Sequence, residues 1–269
     1  MPHTHPSAHE TALITGASTG IGYELAKFFS RNGHPLVLVS RNKERLDKIA
    51  GELKKEFGVS VKVLAKDLSR PGAASEIFEE LERESLAVDI LVNNAGFGTH
   101  GLFYETALNP QLEMIQVNVT CLTHLTRLFL PGMLARRRGR ILNVASTAAF
   151  QPGPLMAVYF ATKAYVLSFT EALANELGGT GVSATVLCPG ATKTEFQERA
   201  GIKGMKLLKM GMMDAETVAG MGYRALMDGE PVVIAGWRNK ILAFLVRFAP
   251  RSLVMWAVRF FQEKINPRQ

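Results

Sequence analysis

The chain has 269 residues, 47% of them hydrophobic and 20% charged, with only two cysteines. That length and composition suit one α/β domain with a sizeable core, and two cysteines exclude a disulfide framework. The net charge of +7 is unevenly placed: from Gly236 onward Arg238, Lys240, Arg247, Arg251, Arg259, Lys264 and Arg268 face one acid, Glu263, so this segment carries +6 and the rest is nearly neutral. Nucleic-acid binding, which needs a broad basic surface or a reading motif, is not expected.

Residues 1–9 hold three histidines and no apolar stretch, which reads as a solvated tail without a secretory signal or a metal. Strands are expected at Thr11–Thr15, Pro35–Ser40, Val61–Ala65, Val88–Val92, Arg140–Val144, Val182–Leu187 and Pro231–Ala235. Most are continuous apolar runs, the pattern of strands covered on both faces. Helical spacing marks Ile21–Arg31, Lys43–Glu56, Pro110–Leu134 and Met156–Leu177. Alternating strands and helices predict a Rossmann-like α/β fold: a doubly wound parallel sheet of about seven strands with helices on both faces. The expected organisation is a flexible tail (1–9), a main domain (10–236) and a basic amphipathic helical extension (237–269). Cys121 and Cys188 stand far apart; they read as small buried hydrophobes in a reducing compartment, so a cytoplasmic location is expected.

The first strand runs into Thr15-Gly-Ala-Ser-Thr-Gly-Ile-Gly22. Small residues there allow a tight turn and a close backbone approach to a pyrophosphate, with the following helix N-terminus supplying N–H donors. Gly16, Ser18, Thr19, Gly20, Ile21 and Gly22 are therefore candidate cofactor contacts. The same residues match G-x-S-x-G, a nucleophile elbow. A serine hydrolase using Ser18 is the competing reading, disfavoured because the last 145 residues contain no histidine. The second strand ends Val39-Ser40-Arg41-Asn42. A guanidinium stands where an acid would accept from a ribose hydroxyl, so NADP(H) is expected over NAD(H), with Arg41 on the extra phosphate. Asp67, followed by Leu68, either accepts from an adenine amino group or caps the next helix with Ser69.

Tyr159 and Lys163 lie one helical turn apart. Ser146 precedes Tyr159 at the end of an expected strand, where doubly wound sheets bind ligands. A cation at ~4 Å with an effective dielectric of ~20 supplies about the 4 kcal/mol needed to bring a phenol near neutrality, so Lys163, helped by an oxidised nicotinamide cation, is expected to activate Tyr159. A second Y-x-x-x-K, Tyr23 with Lys27, lacks a polar partner upstream and reads as structural.

Taken together, Thr15–Gly22, Asn93-Asn-Ala-Gly96, Asn118, Ser146, Tyr159-x-x-x-Lys163 and Pro189-Gly190 resemble the short-chain dehydrogenase/reductase family, single-domain branch, over about residues 10–235. The resemblance implies a general acid/base at Tyr159, a carbonyl-polarising hydroxyl at Ser146, and Lys163 holding the nicotinamide ribose and lowering the tyrosine pKa. It implies a water-positioning Asn118, the alternative being a buried asparagine that locks a helix bend. It adds Asn94, Ala95, Gly96, Pro189 and Gly190 as cofactor-lining positions, with Thr192 or Thr194 at the carboxamide, and a homo-oligomer built on the two long helices. A sensor that binds NADP(H) without turnover is the alternative.

Phe97, Phe150, Pro152, Pro154, Leu155, Met156 and, later, Phe196, Met205, Leu207, Leu208, Met210, Met212 and Met213 suggest an apolar, adaptable pocket for a lipophilic carbonyl compound, such as a 3-oxoacyl chain, a steroid or an aromatic ketone, or else plain core packing. Beyond Gly236 two short amphipathic helices broken at Pro250 are expected. A membrane span is disfavoured: three arginines cost ~8–10 kcal/mol, against ~3–7 returned by about eleven large aliphatic and Phe residues. The segment is left to cover the substrate mouth, pack on a sister subunit, or lie peripherally on a bilayer.

Overall fold

The computed structural model describes residues 10–263, so the expected tail 1–9 and the last six residues lie outside the described residues. The chain forms β1 (Ala12–Thr15), α1 (Gly20–Arg31), β2 (Leu36–Ser40), α2 (Lys43–Phe57), β3 (Val61–Ala65), α3 (Ala73–Arg83), β4 (Ile90–Asn93), α4 (Leu108–Ile115), a π-helical turn (Gln116–Cys121), α5 (Leu122–Ala135) and β5 (Gly139–Val144). It continues through a 3₁₀ turn (Thr147–Phe150), α6 (Ala157–Glu176), β6 (Val182–Cys188), β7 (Thr192–Lys193), α7 (Phe196–Arg199), a second 3₁₀ turn (Lys206–Met210), β8 (Met213–Asp214), α8 (Ala215–Asp228), β9 (Val232–Ile234), α9 (Trp237–Leu245) and α10 (Arg251–Gln262).

Seven strands form one parallel sheet in the order β3-β2-β1-β4-β5-β6-β9, and β7 and β8 pair as a separate ribbon. The order reverses between β1 and β4, which opens a crevice at the carboxyl ends of the strands. Alternate side chains of each strand feed opposite cores. Ile14 and Leu38 pack with Leu25 and Phe29 of α1, Leu46 and Leu53 of α2, and Leu226 of α8. Leu13, Val37 and Leu91 pack with Ile77 of α3, Phe129 and Met133 of α5, and Leu173 of α6. The expected doubly wound architecture is the one observed.

Differences from the sequence reading are local. The fourth strand starts at Ile90; just before it the Asp89 carboxylate accepts from Thr11 N at 3.2 Å and pairs with Arg136 and Arg138 at 3.4 Å each. The single helix expected over 110–134 is interrupted by the π turn around Asn118. Helices α3 and α8 were not singled out by spacing; α8 is launched by Asp214, whose carboxylate accepts from Thr217 N at 2.6 Å.

Below the sheet, at its amino-terminal edge, Arg140 donates to both Glu10 carboxylate oxygens at 2.9 and 3.0 Å. His34 is fully buried beside them; Nδ1 meets the Glu10 carbonyl at 2.9 Å and Nε2 meets the Tyr223 hydroxyl at 3.4 Å. Burial holds the His34 pKa below its ordinary 6.5 despite the Glu10 carbonyl and carboxylate, which act the other way. The fold therefore prefers neutral imidazole, and the unfolded chain takes up the proton first as pH falls through about 6.5. Thermal stability should drop between pH 7 and 5, and His34→Gln should flatten that part of the melting-temperature profile. An unchanged slope in the variant would refute the assignment.

Candidate functional site

At the crevice the glycine turn is braced from the far side of the split. Thr15 Oγ1 donates to the Val92 carbonyl at 3.2 Å and accepts from Asn94 N and Ala95 N at 3.0 Å each. Asn94 Nδ2 donates to the Thr15 and Gly16 carbonyls at 2.9 and 3.2 Å. Gly16 and Gly20 take φ of 66° and 56°, and a Cβ on Gly22 would lie 2.3 Å from the Gly16 carbonyl. Only glycine fits a turn folded back so tightly. The turn ends at the N-terminus of α1, whose N-cap, Thr19, makes no side-chain capping bond. The first N–H groups of α1, from Gly20, Ile21 and Gly22, thus have neither an intrahelical partner nor a side-chain cap. That donor set fits a pyrophosphate. Ser18 has no histidine partner among the described residues: His34 lies under the opposite edge, and His100 meets the Gln262 carbonyl at 3.0 Å. The hydrolase reading falls for that reason.

Arg41 is exposed at the end of β2 and makes no ion pair among the described residues. Its neighbour Asn42 caps α2 through Arg45 N at 2.9 Å, and Arg45 is committed to Glu195 at 2.8 Å. Asp67 Oδ1 accepts from Ser69 N and Oγ at 3.0 and 2.8 Å. Burial raises the Asp67 pKa, but those two bonds, with Arg41 and Arg70 nearby, outweigh it and hold the carboxyl below its usual range. The Leu68 side chain is buried in the core.

The polar centre is built by β5, α6 and the π turn. Ser146 follows β5, and its Oγ accepts from Ala148 N at 3.1 Å. Lys163 is only 5% exposed and donates to the Val144 carbonyl at 2.8 Å. Asn118 Oδ1 accepts from Phe97 N at 3.2 Å, and Nδ2 donates to the Phe97 carbonyl at 3.0 Å and Thr162 Oγ1 at 3.1 Å. The π turn places Asn118 where it bonds both polar groups of the Phe97 backbone and Thr162, so it does lock the helix here. It also borders the centre: a Cβ on Gly96 would lie 3.1 Å from Asn118 Oδ1 and 3.4 Å from Lys163 Nζ. Below, Asn93 donates to Asn143 at 2.9 Å and to Thr126 at 3.1 Å, and Asn143 donates to Thr170 at 2.9 Å, tying β4 and β5 to α5 and α6.

Burial pushes the Tyr159 phenol up to about 12, with the Ser146 hydroxyl beside it pulling the other way, and burial brings Lys163 down to about 8. The Lys163 ammonium lies 5.8 Å from the Tyr159 ring centre and donates to the Val144 carbonyl at 2.8 Å. Tyr23 and Lys27 behave as expected: Lys27 bonds Glu24 at 3.1 Å on the α1 surface.

Of the two threonines left open, Thr194 is the one at the glycine turn. A Cβ on Gly20 would lie 2.8 Å from Thr194 Cγ2, whereas Thr192 Oγ1 is satisfied by the Gly190 carbonyl at 3.0 Å. The Pro189 carbonyl accepts from Thr147 N at 2.8 Å. Gly190 is closed on one side by Asn239 of α9, whose amide would sit 2.4 Å from an added Cβ. Asn239 carries no sequence signal, because it acts across 49 residues of chain; the same is true of Thr162 as a partner for Asn118.

Beside the polar centre the surface is apolar. Tyr159 and Phe196 rings are 5.3 Å apart, and both approach Gly98 together with Met156. Met156, Phe160, Ile202 and Met205 form one buried cluster that also receives Leu208 and Val258. Met205 and Met213 are therefore packing residues, while the Met210 side chain lies outside what the structure describes. Leu155 holds φ at 70°, a strained value for a branched residue, and its carbonyl accepts from Gly101 N at 2.9 Å. A cavity of about 110 Å³ here is lined by Thr99, Gln111, Leu155, Met156 and Arg259 among others. A larger groove of about 530 Å³ lies at the other end of the sheet, along Gly178–Ala184 and Pro231, away from these groups.

The chain matches the short chain dehydrogenase family over residues 10–203. It belongs to that family. Among curated members, the very-long-chain 3-oxoacyl-CoA reductase of Anas platyrhynchos is 35% identical over 200 residues, covering 72% of this chain and 63% of that protein. The 17-beta-hydroxysteroid dehydrogenase type 3 of Mus musculus is 38% identical over 193 residues, covering 70% and 62%. The matched region thus spans less than two thirds of either curated relative. A short-chain dehydrogenase from Sphingobium yanoikuyae, solved in complex with NADPH, superposes with a TM-score of 0.81 at 34% identity over 91% of this chain and 94% of its own. As a short-chain dehydrogenase this chain carries its Ser just after β5 and its Tyr and Lys on α6, at the carboxyl edge of the parallel sheet.

The buried lysine generates a stability prediction. At neutral pH its lowered pKa corresponds to a cost of about 3 kcal/mol, since each unit is ~1.4 kcal/mol; losing the bond to Val144 O returns about 1–3 of it. Lys163→Met should melt no lower than the parent at pH 7. Any advantage should fade as pH rises from about 8 toward 10.5, because the parent's buried lysine sheds its proton over that range. A pronounced loss of stability at pH 7 would contradict the lowered pKa.

Proposed function

We propose that this chain is an NADP(H)-dependent oxidoreductase that interconverts a carbonyl and an alcohol on a lipophilic substrate, with residues 10–236 as its catalytic unit and 237–269 as a helical extension of the same domain. The observation that carries the reading is the meeting of Ser146, Tyr159 and Lys163 beside the uncapped N-terminus of α1 at the carboxyl edge of the sheet.

When bound, the dinucleotide supplies or accepts the hydride at the substrate carbon. The chain's own residues handle oxygen and proton. With its pKa raised to about 12, Tyr159 carries its proton at neutral pH, the form that donates to a carbonyl oxygen during reduction. Ser146 stands ready to hydrogen-bond the same oxygen. Lys163 is held by Val144 O with its charge next to Gly96, where a nicotinamide ribose would lie, and Asn118 fixes the Phe97 backbone alongside. The N–H groups of Gly20, Ile21 and Gly22 would take the pyrophosphate, with Thr194 packed over Gly20. Arg41, free of ion pairs among the described residues, is the group for a 2′-phosphate, and the NADPH bound by the Sphingobium protein supports that choice. Asp67 is occupied by Ser69, so its adenine role would be limited to its other oxygen.

Tyr159, Phe196, Met156 and Phe160 give the substrate side an apolar wall. That wall supports a bulky, lipophilic ketone or 3-oxoacyl compound, the class to which the named relatives' substrates belong. Exposed Leu108, Leu112, Ile115 and Tyr165 on the long helices support a homo-oligomer, and the free, buried Cys121 and Cys188 suit a reducing compartment such as the cytoplasm.

NADPH consumption against a panel of apolar ketones and 3-oxoacyl thioesters tests the reading. Tyr159→Phe should lower kcat by roughly 10²–10⁴ while leaving NADPH affinity within a few-fold; near-normal turnover would overturn the role. Arg41→Ala should lower kcat/KM for NADPH about tenfold or more, a change of ~1.4 kcal/mol or more, and barely alter that for NADH. An equal fall for both would remove Arg41 from the phosphate.

A further inference from the structure

Helices α9 and α10 are each fixed to the body yet present unusual outer sides. Asn239 Nδ2 donates to the Ala235 carbonyl at 2.6 Å and packs on Gly190. Gln262 O meets His100 at 3.0 Å, and Lys206 N donates to the Glu263 carbonyl at 3.2 Å. Ala243 and Val254 turn inward. Outward stand Trp237, Phe244, Phe248, Leu253, Trp256 and Phe260, with Trp237, Phe248 and Trp256 exposed by 68%, 72% and 67%. Arg238, Lys240, Arg247, Arg251 and Arg259 are exposed among them. The single acid, Glu263, is already paired with Lys206 at 3.2 Å and with Arg259 at 3.9 Å.

We propose that this face docks the protein peripherally on an anionic lipid bilayer. The apolar and cationic groups share one surface, the arrangement that enters the headgroup region while basic side chains reach lipid phosphates. No helix among the described residues is long and apolar enough to cross a membrane, and the two helices, of 9 and 12 residues, lie either side of Pro250. Charge decides against a second copy of the chain as the occupant: a symmetric contact through this face would set two cationic surfaces against each other, whereas anionic lipid complements them. The docking face is continuous with the substrate side. Val258 of α10 packs into the Met156–Met205 cluster, and Arg259 lines the cavity at Leu155 and Met156. The docked helices would hold that cavity at the lipid surface, although docking itself does not depend on the proposed chemistry.

The chain's two tryptophans, Trp237 and Trp256, both lie on this face, so intrinsic fluorescence reports directly on it. The full-length protein is mixed with phosphatidylcholine vesicles containing about one-third phosphatidylglycerol, and partitioning is followed by co-sedimentation and emission shift. Binding with a blue shift, weakened roughly tenfold on pure phosphatidylcholine or in high salt, is expected. Phe248→Ser with Trp256→Ser, and separately Arg247→Glu with Arg251→Glu, should each cut partitioning about tenfold or more at an unchanged melting temperature. No partitioning by the intact protein overturns the proposal, and equal partitioning onto neutral vesicles overturns its anionic basis. A dimer in sedimentation velocity that the same substitutions abolish, without vesicle binding, assigns the face to a second copy instead.

Discussion

The hydroxyl of Thr15 and the amide of Asn94 hold together the point where the sheet divides. Between them they satisfy two backbone N–H groups and three carbonyls at the carboxyl ends of β1 and β4. Both strands belong to the parallel sheet, but their outgoing chains leave for opposite faces, so nothing in the strand ladder positions the loops beyond. Without these bonds the glycine turn would lack its far wall, and buried polar groups left unpaired cost about 1–3 kcal/mol each. Everything at the crevice is measured from this clamp: the N-terminus of α1, the Gly96 backbone beside Lys163, and Thr194 closing over Gly20.

The polar centre is energetically uncomfortable by construction. A lysine is buried with one carbonyl partner, and a tyrosine is set beside a serine in apolar surroundings, so both side chains are pushed toward their neutral forms. The surrounding network tolerates this because Asn93, Thr126, Asn143 and Thr170 tie β4 and β5 to α5 and α6, and Asn118 locks the π turn against Phe97 and Thr162. Local instability at a rigidly framed site is the usual structural signature of groups poised to exchange protons with a ligand.

The segment beyond Gly236 is part of the same framework, not an appendage. α9 closes Gly190 through Asn239, and α10 contributes Val258 and Arg259 to the substrate side.

The sequence by itself determined the architecture and most of the crevice. Continuous apolar runs separated by helical spacing require a covered parallel sheet, and a parallel sheet requires crossovers, so the strand-end positions of the glycine turn, Arg41, Ser146 and Pro189 followed from local pattern alone. The two-helix break at Pro250 was legible for the same reason: proline acts on its own turn of chain. Tertiary structure decided what depends on distance and burial. It chose Thr194 over Thr192 at the glycine turn, turned Asp67 onto Ser69, interrupted the long helix with a π turn at Asn118, and placed Met205 in the core. It also set the burial of Tyr159, since spacing along a helix gives the direction of a neighbouring charge but not how much water has been removed around the phenol.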